Sequence, residues 1–503
     1  MPRRLDKPNK PSALGSAWLT LLGLMLLAAA PLLLDISKPA LFSVAEDRSV
    51  ITADETHQRR LGYESTRFEI DAWKPIYLGQ PRLEQPPGTT WLHMFALNGV
   101  TPTGLGSDAI KTRARLASAF MAILLVGGVF WAGHSIGGLT TATFAGAVAL
   151  TMPVLVFFGR IATADMPLAT WTALSVAAAL WAMRPLRRNP SLIRQLLGWL
   201  ICGLCMGMAT LTGGPTAVPT VILPIIAIAL ICPHRLSHGM GIAAGLAIAA
   251  LVVTPWSVHV HEETTPDVWQ QWLDTLTPTF LTGGWARYLQ AIGWRISAML
   301  ALTGWWAIWL IAALLQPFST SSTEVRRRML LGWTWYVTTS VLLIFAPGEP
   351  NIAGLLAVLA PAALIIGQVM RQFHELSAEG RHARLWRVNR WLMIFGTLCL
   401  SLLLPIWGGF ETDLPQGLVA WTPWVGDVYA NMHLSFWIGL TLVLVLAAGL
   451  AAKFALANHP GRALAAWALW ALIAMSVLTI PVARGPLLAT PATIPALPQA
   501  PAG

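Results

Sequence analysis

The chain has 503 residues, 55% hydrophobic and only 11% charged, well under the quarter or so of charged residues in an ordinary soluble domain. Its formal net charge of +10 does not indicate a nucleic-acid partner, because the basic residues sort by side of a membrane and form no single patch. The uncharged blocks Leu21 to Leu34, Leu116 to Trp131, Ala217 to Cys232 and Leu440 to Ala452 approach the ~20 apolar residues of a bilayer-spanning helix, and the short alternating strands of a membrane barrel are missing.

The expected fold class is therefore an all-α polytopic membrane protein with about 13 transmembrane helices. In chain order the spans are 14–34, 113–133, 138–158, 165–183, 195–211, 216–232, 238–256, 291–314, 329–346, 352–369, 391–408, 434–452 and 464–482. The first follows basic residues, as a signal peptide would. Its apolar stretch is longer than a signal core and no small-x-small site follows, so it is read as a retained helix. A long extracytoplasmic loop, 35–112, separates it from the second span and carries surface helices. Thr89 to Val100 is too short to cross and is expected to lie at, or dip into, the outer surface.

With the N-terminus inside, the alternate loops hold Arg184, Arg187, Arg188 and Arg194, then Arg326, Arg327 and Arg328, then Arg371 to Arg390. Nearly all the acids fall on the other side, as the positive-inside rule requires. Cys202, Cys205, Cys232 and Cys399 lie in or beside apolar blocks, so no disulfide framework is expected. The chain divides into a module over 1–370 that includes the loop 35–112, further membrane helices over 371–482, and a Pro/Ala-rich tail at 483–503.

A transporter places ionisable groups along mid-membrane helices; here the polar groups collect outside. The first loop reads ITADETHQRR and later RLEQPPGTTWLH. FFGRIATADMPL sets Arg160 and Asp165 at the outer ends of the third and fourth spans, and LTGGP joins the fifth and sixth. Each cluster has a plain structural reading. Thr52 and Glu55 fit a capping box with Asp54 in the first helical turn. Asp165 before Pro167 fits an N-cap. Glu84 could be an acid beside a proline turn, Arg160 a partner for Asp165, and His259 and His261 interfacial residues.

Taken together, the Asp-Glu pair, the Glu-x-Pro-Pro, the Arg-x-x-x-x-Asp-Met-Pro-Leu and the Leu-Thr-x-Gly-Pro resemble the GT-C glycosyltransferases. The nearest subgroup is the protein O-mannosyltransferase and aminoarabinose transferase type, over roughly residues 14–370. That resemblance implies an inverting transfer of a sugar from a polyprenyl-phosphate donor to an extracytoplasmic acceptor hydroxyl on a glycan, lipid or protein. It implies catalytic roles for Asp54, Glu55 and Asp165, and substrate contacts from Glu84, Gln85, His57, Arg59, Arg60 and Arg160. Glu84 is also the residue through which a divalent metal would bind. Membrane lipid is a further expected partner. The preference for Arg over Lys points to a GC-rich bacterium, hence an inner membrane with the site facing the periplasm.

The departures from that pattern all remove cations. His57 stands where the family has Arg, Gln85 and Gly213 where it has Lys, and Pro347 to Asn351 where a basic residue is common. A leaving phosphate needs positive charge or oriented donors, each typically contributing about a hundredfold or more in rate. Arg59, Arg60, Lys74, Arg82 and Arg160 are the substitutes available. Two alternatives to the enzyme therefore stand: a catalytically inactive relative that binds lipid-linked substrate or a partner, and a transporter or flippase.

Overall fold

The computed structural model describes residues 12–33, 36, 44–60, 74–82, 86–98, 107–183, 191–232, 235–263, 279–319, 322–346, 353–378, 390–391, 394–402, 434–457, 459, 462–463 and 465–474. The tail 483–503 lies outside them, as do parts of the expected spans 391–408 and 464–482.

Helix α1 (Ser12–Leu33) is followed by α2 (Val44–Arg60), by the two-residue strands β1 (Ile76–Tyr77) and β2 (Gln80–Pro81), paired antiparallel, and by α3 (Gly88–Leu97). Ten residues of α-helix reach about 15 Å, half the ~30 Å hydrocarbon thickness, so α3 does not cross. The apolar bundle then runs through α4 (Asp108–Leu150), α5 (Pro153–Gly159), α6 (Asp165–Met183), α7 (Leu192–Gly213), α8 (Ala217–Ile231) and α9 (Arg235–Glu263). It continues through α10 (Thr279–Leu302), α11 (Ala307–Ser319), α12 (Thr323–Ile344), α13 (Leu359–Ala378) and α14 (Leu434–Leu456).

The 43-residue α4 is two expected spans joined by a single residue. Gly138 takes φ 75° and ψ −166°, a region in which a Cβ is penalised and glycine is not. The chain doubles back there: a Cβ on Gly133 would lie 2.9 Å from Ala142 Cα, and one on Gly146 3.8 Å from Phe130 Cβ. Similar close approaches hold the bundle together, with Gly367 of α13 against the Ala145 backbone, Gly198 of α7 against Ala182 of α6, and Gly203 of α7 against Gly245 and Ile248 of α9. Lipid supplies no hydrophobic drive between helices, so packing at small residues must hold them. Leu251 and Leu446 are 73% and 65% exposed, as side chains facing lipid would be.

Seven described helices are long and apolar enough to cross a membrane, or eight with one bent pair counted. The chain is a polytopic membrane protein. The count of thirteen is not reproduced as thirteen separate helices, partly because 108–150 and 192–231 each contain two expected spans. The expected span 291–314 is bent rather than continuous. α10 and α11 meet at 99°, because Gly304 turns the chain at φ 56° against Pro153, while Trp306 Nε1 donates to Thr151 Oγ1 at 3.0 Å.

Candidate active site

Helix α2 is polar in composition, and yet its second half is buried on every side. From Thr52 through Ala53, Asp54, Glu55, Thr56 and His57 to Gln58 no residue is more than 8% exposed. Buried polar groups cost free energy unless they are hydrogen-bonded, and the two faces of α2 meet this demand differently. Val50 and Ala53 pack with Met94 and Leu97 of α3, Ile110 and Ala114 of α4, and Ala162. On another face Thr56 Oγ1 accepts from Ile76 N at 3.0 Å, Glu55 Oε1 accepts from Gly79 N at 2.8 Å, and Arg82 Nη1 donates to Thr52 Oγ1 at 3.1 Å. Arg82 also lies over the Tyr77 ring at 6.0 Å.

The capping reading of Thr52 and Glu55 is overturned. α2 begins at Val44, so both residues lie in the helix interior, where the N–H groups of the first turn are out of reach. The Thr52 hydroxyl instead donates back to the Arg48 carbonyl. Asp54 accepts from Gln58 Nε2 at 2.9 Å, one turn along the helix. Its carboxylate is thus buried, mid-helix and oriented by a neutral donor.

Two residues that the sequence reading passed over tie α2 to the bundle. Glu46 and Arg115 are both 0% exposed and paired at 2.8 Å, and Glu46 Oε1 also accepts from Ala162 N at 3.0 Å. One carboxylate therefore joins the first loop, the N-terminal end of α4 and the turn that carries Arg160 and Asp165. A charge inside an apolar span calls for a partner, so Arg115 carried a signal. The acids at 46, 47, 54 and 55 left its partner undetermined. His93 on α3 was missed as well. It is fully buried, its Nδ1 is 3.4 Å from Ser49 Oγ, and burial holds its pKa down to about 4.

The other motifs meet at the same end of the bundle. A Cβ on Gly88 would lie 2.7 Å from the Leu211 carbonyl oxygen, one on Gly214 would be 3.8 Å from Pro86, and one on Gly213 2.7 Å from Leu168. The Pro-Pro-Gly turn therefore rests on the Leu-Thr-Gly-Gly-Pro turn, which rests in turn on the Asp-Met-Pro-Leu segment. Glu84 and Gln85 themselves lie outside the described residues, as do the side chains of Arg59, Arg60 and His261. Arg59 and Arg60 are the last two residues of α2. Asp165 is half-buried as the first residue of α6. Arg160 is buried, with Nη1 donating to the Pro31 carbonyl of α1 at 3.2 Å. His57 is buried in α2, and His259 is half-buried near the end of α9. Among the described residues no three His, Cys, Asp or Glu side chains come together as a metal site would need.

No family model matches the chain. The undecaprenyl phosphate-alpha-4-amino-4-deoxy-L-arabinose arabinosyl transferase of Aeromonas salmonicida is 25% identical over 336 residues, 65% of this chain and 57% of that protein. The corresponding transferase 1 of Sodalis glossinidius is 24% identical over 391 residues, 75% of this chain and 63% of that protein. Among solved structures, apo ArnT from Cupriavidus metallidurans superposes with a TM-score of 0.64 at 19% identity, over 94% of this chain and 78% of ArnT. The chain has the GT-C glycosyltransferase fold. The undecaprenyl-phosphate complex of the same ArnT gives a TM-score of 0.63. This GT-C chain spans about six-tenths of the length of the curated relatives it matches.

Proposed function

We propose that the chain is an inverting membrane glycosyltransferase. It moves a sugar from a polyprenyl-phosphate donor to an acceptor hydroxyl on a glycan, lipid or protein, at the periplasmic face of a bacterial inner membrane. Residues 1–370 carry the transfer module and 371–482 supply further membrane helices. The observation that carries this reading is the placement of Asp54: buried, inside a helix, held by Gln58, and on the element against which α3 and the 160–165 turn are packed. A carboxylate so placed has no capping duty.

In the reaction, Asp54 accepts the proton of the acceptor hydroxyl as that oxygen attacks the anomeric carbon. The bond from that carbon to the phosphate oxygen breaks, and the lipid phosphate leaves with the electron pair. Glu55, held by the Gly79 amide, positions the β1–β2 turn beside α2. Asp165 acts at the head of α6, in orienting the acceptor. For the leaving phosphate, Arg82 and Arg160 already donate to Thr52 and Pro31, so Arg59 and Arg60 at the end of α2 are the first candidates. A guanidinium suits phosphate because its planar fork donates two hydrogen bonds at once. Adjacent helical residues point about 100° apart, so Arg59→Gln and Arg60→Gln should reduce donor affinity unequally. Equal and negligible losses would remove both from the site.

A second reading, a relative that binds the lipid-linked donor without transferring its sugar, is favoured by one observation. The family's Lys position is Gly213 here, and Leu168 Cδ2 lies 2.7 Å from where a Cβ would be, so an apolar side chain occupies the place of the cation. Radiolabelled polyprenyl-phosphate sugar incubated with the purified protein separates the two. Label moving to an acceptor supports transfer, and donor retained without turnover supports the second reading.

A further inference from the structure

Glu46 stands in the first turn of α2 and Arg115 in the second turn of α4, and neither side chain has any exposed surface. Arg115 Nε donates to Glu46 Oε1 at 2.8 Å and Nη2 to Oε2 at 3.4 Å, while Nη1 donates to the Ile36 carbonyl at 3.4 Å. The same Oε1 accepts the Ala162 amide at 3.0 Å. A buried ion pair of this kind is weak evidence for stability. Its desolvation cost can exceed its attraction, and apolar residues of similar volume often replace it without loss. The pair therefore calls for a reason that two apolar side chains could not supply, and the Ala162 amide is that reason. This N–H is buried, and a buried donor without an acceptor is costly.

What the amide belongs to gives the contact its meaning. Ala162 sits two residues after Arg160 and three before Asp165, in the short turn between α5 and α6. Thr163 N donates to the Ile161 carbonyl at 3.0 Å, so the turn is tight around Ala162. Ala162 packs in the cluster that Val50 and Ala53 of α2 form with α3 and α4, and Arg160 Nη1 donates to the Pro31 carbonyl. Apolar packing resists separation but has no direction of its own. The bond to Glu46 is directional and adds the register. Glu46 lies eight residues before Asp54, about 12 Å along α2 at 1.5 Å per residue. One helix thus connects the carboxylate that holds the turn to the carboxylate proposed as base.

We propose that Glu46, held by Arg115, is a positioning residue: through the Ala162 amide it fixes the 160–165 turn, and with it Asp165, in register with Asp54 on α2. The proposal deepens the transfer reading above and rests on it for its catalytic consequence alone. A misplacement of about 1 Å can cost on the order of a hundredfold in rate, so a clamp that adds little to stability is still required for turnover. Arg115 has its own part. Its two bonds to Glu46 orient both carboxylate oxygens and leave Oε1 aimed at Ala162.

The test compares three full-length proteins in detergent: wild type, Glu46→Gln, and the pair Glu46→Met with Arg115→Met. Glu46→Gln leaves Arg115 uncompensated and lowers stability, yet its amide oxygen still accepts from Ala162. The methionine pair is more stable than Glu46→Gln but offers Ala162 only a thioether, a weak acceptor. The order of stability and the order of activity should therefore be opposite. Per folded molecule the methionine pair should lose about a hundredfold in kcat and Glu46→Gln clearly less, with donor KM little changed in both. Hydrogen–deuterium exchange over residues 160–165, relative to the rest of the chain, should rise in the methionine pair and stay near wild type in Glu46→Gln. A merely structural role moves activity with stability. Recovery of kcat in the methionine pair, or equal exchange over 160–165 in all three proteins, would therefore overturn the proposal. Exchange needs no turnover: if the wild type transfers no label, the transfer reading fails by itself, and exchange over 160–165 still decides the clamp.

Discussion

Asp54 and Glu55 are adjacent in sequence, but one position on a helix is a rotation of about 100°. The structure uses that difference: Glu55 meets the Gly79 amide and Asp54 meets Gln58. They therefore perform different tasks, and substitution should separate them. Asp54→Asn keeps an oxygen to accept from Gln58, so the folded yield should be nearly unchanged. Transfer should fall about 10²- to 10⁴-fold, the usual contribution of a general base, and an active variant in a radiolabel assay would remove the base. His93 gives a prediction in pH. Its folded pKa is held at about 4 against an ordinary 6.5 by burial, so the unfolded chain binds the extra proton first as pH falls. Stability is full above pH 6.5, falls between 6.5 and about 4, and then levels, a loss on the order of 3 kcal/mol. Unfolding midpoints of the wild type and His93→Gln across that range check it: the variant should lose this part of the pH dependence.

At the scale of elements, α2 is the unit on which the site depends. It is held by one buried ion pair and by a close approach of α3 to α7. Removing one partner of a buried pair typically costs about 3–5 kcal/mol, because the other charge is left uncompensated. Glu46→Gln should therefore lower stability by roughly that amount and loosen α2. Replacing Glu46 and Arg115 together by Met should recover much of the loss, as seen in detergent unfolding curves. Gly88→Ala would press a methyl group against the Leu211 carbonyl, a backbone atom unable to swing aside. Overpacking of this kind costs typically 1–3 kcal/mol. The Pro-Pro-Gly turn should shift from the Leu-Thr-Gly-Gly-Pro turn, and donor binding should weaken by a measurable factor.

For the molecule as a whole, the α4 hairpin sets the register of the sides. Ser107, just before α4, belongs with α2 and α3, and Ser191, just before α7, belongs with the opposite end. In a variant without cysteines, Ser107→Cys should label with a membrane-impermeant thiol reagent in intact cells, and Ser191→Cys should label only after lysis. The reverse pattern would overturn the proposed orientation. The same arrangement puts the polar motifs together at one end of the bundle.

Membrane class, the places of most spans and the set of converging motifs were legible in the sequence alone. Apolar blocks are local, and lipid requires each to satisfy its own backbone within a helix. The surface helix α3 was legible for the same reason, since ten residues cannot span hydrocarbon. What the sequence left open depended on contacts between distant residues. Thr52 and Glu55 have the spacing of a cap at any helix start, and only the fold showed that the helix begins two turns earlier, at Val44. Arg115 called for a partner, but the choice of Glu46 over Asp47, Asp54 and Glu55 was made by the packing of α2 on α4. The break between α10 and α11 followed from Gly304 meeting Pro153 and Trp306 meeting Thr151, some 150 residues away in the chain. Patterns of 3.6 residues report which face of a helix is apolar; which other helix that face meets, and which buried charge thereby finds its counter-ion, is decided by the tertiary fold.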